Sequence, residues 1–103
     1  MKNILQHINK TLEHRIRLGI MSILMVNEHA DFGTLKELLG VTDGNLSNHT
    51  KALETEHYIM IEKQFIGNRP NTRYTATKDG RKAFRDHIAA FEKLIHNEHY
   101  FFT

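Results

Sequence analysis

Between Val41 and Glu56 the chain reads VTDGNLSNHTKALETE, and its polar side is built from particular residue types. Gly44, Asn45, Ser47, Asn48 and Lys51 supply short hydrogen-bonding groups, one cation and little bulk. A carboxamide offers a donor beside an acceptor, and a hydroxyl offers either, so this set suits contact with flat polar edges rather than bond cleavage. Gly, Asn and Ser are mediocre to poor helix formers. A helix that needed only solubility would carry Glu, Lys, Gln and Ala instead.

A second cluster is electrostatic. From Lys63 to Arg85 the basic residues are Lys63, Arg69, Arg73, Lys78, Arg81, Lys82 and Arg85, against Asp79 alone, in a chain whose net charge is +2. A solvated basic face is one reading and a surface for a polyanion is the other. Catalytic signals are weak by comparison. There is no Gly-rich phosphate loop, no HExxH and no nucleophile motif. Glu54 and Glu56 fall on different sides of one helix. No catalysis and no cofactor are expected.

The elements that must position these residues follow from periodicity. Ile4, Leu5 and Ile8 suggest a short amphipathic helix from Lys2 to Ile8. From Glu13 to about Val26, Ile16, Ile20, Ile23 and Leu24 form one apolar stripe, with Leu18, Met21 and Met25 outside it. Such a helix needs burial on two sides, and a partner subunit would supply the second. After Gly33, Thr34 is a candidate cap for a helix through Leu35, Leu38 and Leu39, which stops at Gly40. Thr42 caps the next helix, with Leu46, His49, Thr50, Leu53 and His57 inward and Gly44, Asn48, Lys51 and Thr55 outward.

The period then changes to two through Ile59, Ile61 and Phe65, and a second strand is expected from about Arg73 to Thr77. The loop IGNRPNT between them holds the chain's only proline. Thr77 caps a final helix striped by Phe84, Ile88, Phe91 and Ile95. The fold class is mostly α with a small β-hairpin (α+β), a winged helix-turn-helix in one domain, residues 1–103. The helix-turn-helix spans about 34–56, the wing about 59–77 and the C-terminal helix about 78–97.

In that order of elements the polar face has a use. A recognition helix lies in a DNA major groove about 12 Å wide, where short side chains reach base edges. Asn48 suits adenine, Ser47 several bases, and Lys51 guanine or a phosphate. Gly44 leaves room for backbone N–H groups to approach a phosphate at the positive end of the helix. Arg69, at the tip of a loop kept hydrophilic by Asn68, Pro70 and Asn71, is placed to enter a minor groove. Lys63, Arg73 and Lys78 read as phosphate contacts, which set position and affinity rather than sequence preference.

The runs HRIRLGIMSILM, FGTLKELLGVTDGNLSNHTKALE and YIMIEKQFIGNRPNTRYTATKDGRKAF resemble winged-helix transcriptional regulators of the ArsR/MarR type, in their short cysteine-free group. The likeness covers roughly residues 12–95. Its most specific parts are LGVTDGNLSNH and the T-K-D-G turn at Thr77–Gly80. It implies a homodimer on a pseudo-palindromic operator, with Asn45, Ser47, Asn48 and Lys51 on the recognition helix and Arg69 on the wing. Thr50 departs from the pattern, which favours leucine there. Its hydroxyl needs a partner, expected to be a carbonyl one turn back.

Some regulators of that type bind zinc through His and acidic residues of their last helices. Here His96 and His99 lie three apart, but Asp86 and His87 are adjacent and His87 is too near His96. His87, His96 and His99 are therefore weak metal candidates, and no metal is expected. His49 and His57 are expected at the core edge, and His14 and His29 at the surface. With no cysteine, disulfides and thiolate sites are excluded. MKNILQHINKTLEH is neither a signal peptide nor a membrane span, so the cytoplasm is the expected location.

The expected partners are double-stranded DNA, a second copy of the chain and, acting on the dimer, a small-molecule effector; no membrane is involved. Ile4, Leu5, Ile8, Met21, Met25, Phe91, Leu94, Ile95, Tyr100, Phe101 and Phe102 are the dimer candidates, an apolar excess that would be hazardous if exposed as one patch. Occlusion of a promoter makes repression the default. The alternatives are a protein-docking winged helix, which would show an apolar recognition helix, and a metal-responsive sensor using the C-terminal histidines.

Overall fold

A computed structural model describes residues 5–96. Helix α1 (Arg15–Val26) is the centre of the packing, and α2 (Phe32–Leu39), α3 (Asp43–Thr55), strand β3 (Arg69–Ala76) and α4 (Lys78–His96) all pack on it. Its Ile20, Met21 and Leu24 are fully buried with Leu12, Leu35, Leu46 and Leu53. The second burial expected from a partner subunit is thus supplied by the chain's own elements. Met21, expected at a dimer interface, is a core residue, and Ile8 is 8% exposed.

The helix–corner–helix forms as its caps dictate. Gly40 ends α2 in the left-handed conformation at φ 62°, ψ 42°, and its N–H donates to the Lys36 carbonyl. Thr42 Oγ1 accepts the Asn45 N–H at 3.2 Å and starts α3. The cap of α2 is not Thr34. Asp31 takes that role, accepting the Thr34 N–H at 2.8 Å, and this bond holds its carboxyl below the ordinary value. Asp31 is set there by β1 (Ala30–Asp31), whose residues pair antiparallel with Tyr74 and Arg73.

β1, β3 and β2 (Ile59–Ile66) form one antiparallel sheet in the order β1-β3-β2. β3 begins at Arg69, four residues before the expected Arg73. Ile66 pairs with Arg69 and Phe65 with Pro70, so the seven-residue loop contracts to a turn at Gly67 and Asn68, Gly67 having φ 63°. Arg69 therefore opens a strand instead of crowning a loop. Proline is tolerated there because it lies near a strand end.

Two more expectations are corrected. His57 is exposed rather than inward, with φ 63°, a conformation that histidine adopts more readily than most residues. It turns the chain out of α3, while the Tyr58 N–H reaches the Leu53 carbonyl at 2.9 Å. The expected helix up to Ile8 is also absent among the described residues, where 5–12 form turns. Asn9 organises them, its Oδ1 accepting the N–H groups of Thr11 and Leu12.

At the far end Thr77 caps α4 as expected, its Oγ1 accepting the Gly80 N–H at 2.9 Å and donating to the His57 carbonyl at 2.6 Å. Gly80 is required by contact: a Cβ there would overlap the Tyr58 carbonyl. The T-K-D-G turn thus locks α4 to the start of β2.

Candidate nucleic-acid interface

Helix α3 is anchored from beneath and open above. Leu46 and Leu53 are fully buried and Thr50 is 2% exposed, spaced to make one inward stripe. The Thr50 hydroxyl donates to the Ser47 carbonyl at 3.1 Å, the bond expected for a threonine in a leucine position. Thr42, Gly44, Asn45, Ser47, Asn48, Lys51 and Thr55 are exposed. One helix face therefore gathers the whole polar set, with no large apolar residue on it.

The flank of α3 is held by a contact that sequence reasoning missed. Arg17 Nε donates to His49 Nδ1 at 3.0 Å, and its Nη1 reaches the Thr11 carbonyl at 3.5 Å. The His14 and His49 rings lie 4.0 Å apart. Burial, then the charges of His14 and Arg17, pushes the His49 pKa down, which keeps Nδ1 free to accept. Arg17 thus ties α3 to α1. Only the inward-flank position of His49 hinted at it.

The expected basic contacts divide. Lys63, Asn68, Arg69 and Lys78 are exposed. Arg73 is half-buried, and its Nη2 lies 3.4 Å from Glu62 across the hairpin, so much of its charge is already answered. Lys82 is paired with Asp86 and Arg81 donates to the Met25 carbonyl. Lys36 bridges from α2 to Asp43 in the first turn of α3 at 2.7 Å. Lys51 on α3 and, from the basic run, Lys63, Arg69, Lys78 and Arg85 are exposed and in no ion pair among the described residues.

The described dimer candidates are spread over α4, α1 and the N-terminal segment. Phe91 is 40% and Ile95 72% exposed, Leu94 and Met25 are half-buried, and Leu5 is 58% exposed. Ile4, Tyr100, Phe101 and Phe102 lie outside the described residues, as does the metal candidate His99. His87 does not have the exposure of a surface ligand: it is 1% exposed, its Nδ1 accepts the Asn9 N–H at 3.0 Å, and its ring meets Phe91 edge-on. Among the described residues, no three His, Asp or Glu come together as a metal-binding group.

A helix anchored by its inner stripe and preceded by a tight corner, with a twisted hairpin beside it, defines a winged helix-turn-helix. The chain belongs to the winged helix DNA-binding domain family, which matches residues 16–95. It is 37% identical over 82 residues to an uncharacterised protein of Methanocaldococcus jannaschii, spanning 80% of this chain and 89% of that one. Among solved structures it is similar to a transcriptional regulator homologue from Pyrococcus horikoshii, with TM-score 0.81, 28% identity and 91% of each chain covered. It also shares its fold with the DNA-bound form of overoxidized AbfR, at TM-score 0.71 and 17% identity over 89% of this chain and 70% of that one. The fold is that of winged-helix DNA-binding transcriptional regulators. No helix among the described residues is long and apolar enough to cross a membrane.

Proposed function

We propose that the protein is a sequence-specific regulator of transcription that binds double-stranded DNA as a homodimer on a pseudo-palindromic operator and represses by occluding the promoter. The observation that carries this reading is the division of α3: a buried stripe of Leu46, Thr50 and Leu53 beneath an exposed face of Gly44, Asn45, Ser47, Asn48 and Lys51. That face can enter a major groove, with Asn48 pairing an adenine and Ser47 and Lys51 beside it. Lys63, Asn68, Arg69 and Lys78 flank it for the phosphates and the neighbouring minor groove, and Arg73 adds a weaker, half-answered charge.

The homodimer reading is supported by the exposed apolar side chains of Phe91 and Ile95 on α4 and of Leu5 in the N-terminal segment. Pairing those surfaces about a two-fold axis would set the two recognition helices roughly 34 Å apart. An effector would act most simply there, by altering that separation. A protein-docking role would instead call for an apolar α3, and its outer face has none.

The test is selection of bound fragments from random duplex DNA, followed by affinity measurements on the best site. Asn48→Ala is expected to lose about 1–3 kcal/mol on that site and little on random DNA. Arg69→Ala is expected to weaken sites with A·T-rich flanks most. Equal losses for both variants on every sequence would sink the assignment, and a stable monomer in sedimentation at micromolar concentration would sink the dimer.

A further inference from the structure

The wing carries an aromatic ring that the reading above leaves unused. Phe65 is 73% exposed and pairs across the hairpin with Pro70, one step before the Ile66–Arg69 pair and the Gly67–Asn68 turn. Strand alternation puts Phe65 on the sheet face of Ile59 and Ile61, the face that meets the core and α3, but beyond the core's edge. Its neighbour Ile66 is accounted for differently: it lies on the other face and lines a cleft with Ile23 and Leu38. Phe65 belongs to neither the core cluster nor that cleft.

Its surroundings say what it could meet. Lys63 shares its face two residues back, Arg69 stands opposite Ile66 on the other face, and neither forms an ion pair among the described residues. An apolar ring and a proline beside one unanswered cation, with a second on the other face of the hairpin end, match a surface that is anionic at its rims and apolar within. A DNA minor groove is such a surface, with phosphates outside and sugars and base edges inside. A protein partner of this patch would need carboxylates around a small apolar pocket, and one ring beside one proline is little area for a stable interface.

We propose that Phe65, backed by Pro70, is a minor-groove wedge: it presses between adjacent base pairs beside the major-groove site and bends the duplex. This rests on the DNA-binding reading and deepens it. Partial unstacking is least costly at pyrimidine–purine steps, so the wedge adds a preference for TA or CA/TG at a fixed distance from the bases facing Asn48.

The test uses the full chain and a duplex selected by the wild-type protein from a random pool, labelled at both ends for energy transfer. The wild type is expected to bend it by about 20° or more. Phe65→Ala is expected to lose most of the bend and roughly tenfold in affinity, with the melting temperature unchanged because the ring is exposed. Phe65→Leu, still a wedge, is expected to recover most of both. If the wild type selects no duplex, the DNA-binding reading itself fails. If it binds and Phe65→Ala bends and binds equally well, only the wedge is overturned, as it is if Phe65→Ala alters self-association and leaves the bend intact.

Discussion

Helices α3 and α4 begin alike and end up with opposite duties. Each is capped by a threonine, Thr42 or Thr77, each has a glycine in its first turn, Gly44 or Gly80, and each holds a histidine against a neighbouring element, His49 or His87. In α3 the glycine faces open space and the outer surface is polar. In α4 the glycine is jammed against the Tyr58 backbone, and the charged outer surface carries two exposed apolar side chains, Phe91 and Ile95. The same local device therefore leaves an open, accessible turn in one helix and makes a tight internal joint in the other. What surrounds the cap, not the cap itself, decides which.

Replacing each glycine by alanine separates the two cases, and the larger effect is expected in α4. Gly80→Ala must push the Tyr58 carbonyl away and loosen the Thr77 bond to the His57 carbonyl. Overpacking of this kind costs about 1–3 kcal/mol, and backbone against backbone belongs at the upper end. Denaturant melts should show it directly. A variant as stable as wild type would mean that α4 is not locked at its start, and the contrast with α3 would lose its basis.

A smaller effect is expected from pH. Burial pushes the His87 pKa below its ordinary value of 6.5, against an upward pull from Glu13. Its Nδ1 must stay unprotonated to accept the Asn9 N–H, and its Nε2 is buried with no partner in the described structure. With the folded pKa depressed, the unfolded chain binds more protons as pH falls through 6.5, so stability is full above that value and declines below it. His49 is shifted the same way by burial and adds to the slope. Melting temperature is expected to drop between pH 7 and pH 5, and His87→Phe to remove most of the drop. An unaltered slope in that variant would show that the decline arises elsewhere.

The same contrast explains what was legible in the sequence. α3, its cap at Thr42, the stop at Gly40, the Thr50 bond and the T-K-D-G turn were readable because each depends on residues within about one helical turn. The failures are non-local. Asp31 displaced Thr34 as a cap because β1 pairs with β3 some forty residues later, a pairing that two residues cannot advertise. The wing's extent is legible but the start of β3 is not, because Pro70 resembles a loop residue and its strand partner Phe65 lies across the turn. Ile8 and Met21 look in sequence like partner-facing residues because apolar residues do not say which surface covers them, and here the chain's own core does. The Arg17–His49 bond joins residues 32 apart and left no periodic trace.

The smallest effect is expected at Gly44, and its sign is the informative part. No atom lies within 4 Å of where a Cβ would stand, and the position needs no unusual backbone angle. Alanine there should therefore raise stability by about 0.5–1 kcal/mol, because glycine gives up more backbone freedom and is the poorer helix former. A residue kept for folding would not show that sign. If the first turn of α3 receives a phosphate on its free N–H groups, the added methyl intrudes on the approach, so affinity should fall on all duplexes while sequence preference, set by Asn48 and Ser47, is retained. Melts and binding isotherms on selected and random DNA measure the two together. A variant that gains stability and binds both duplexes as tightly as wild type would show that DNA does not come that close, and that Gly44 owes its place to something other than contact.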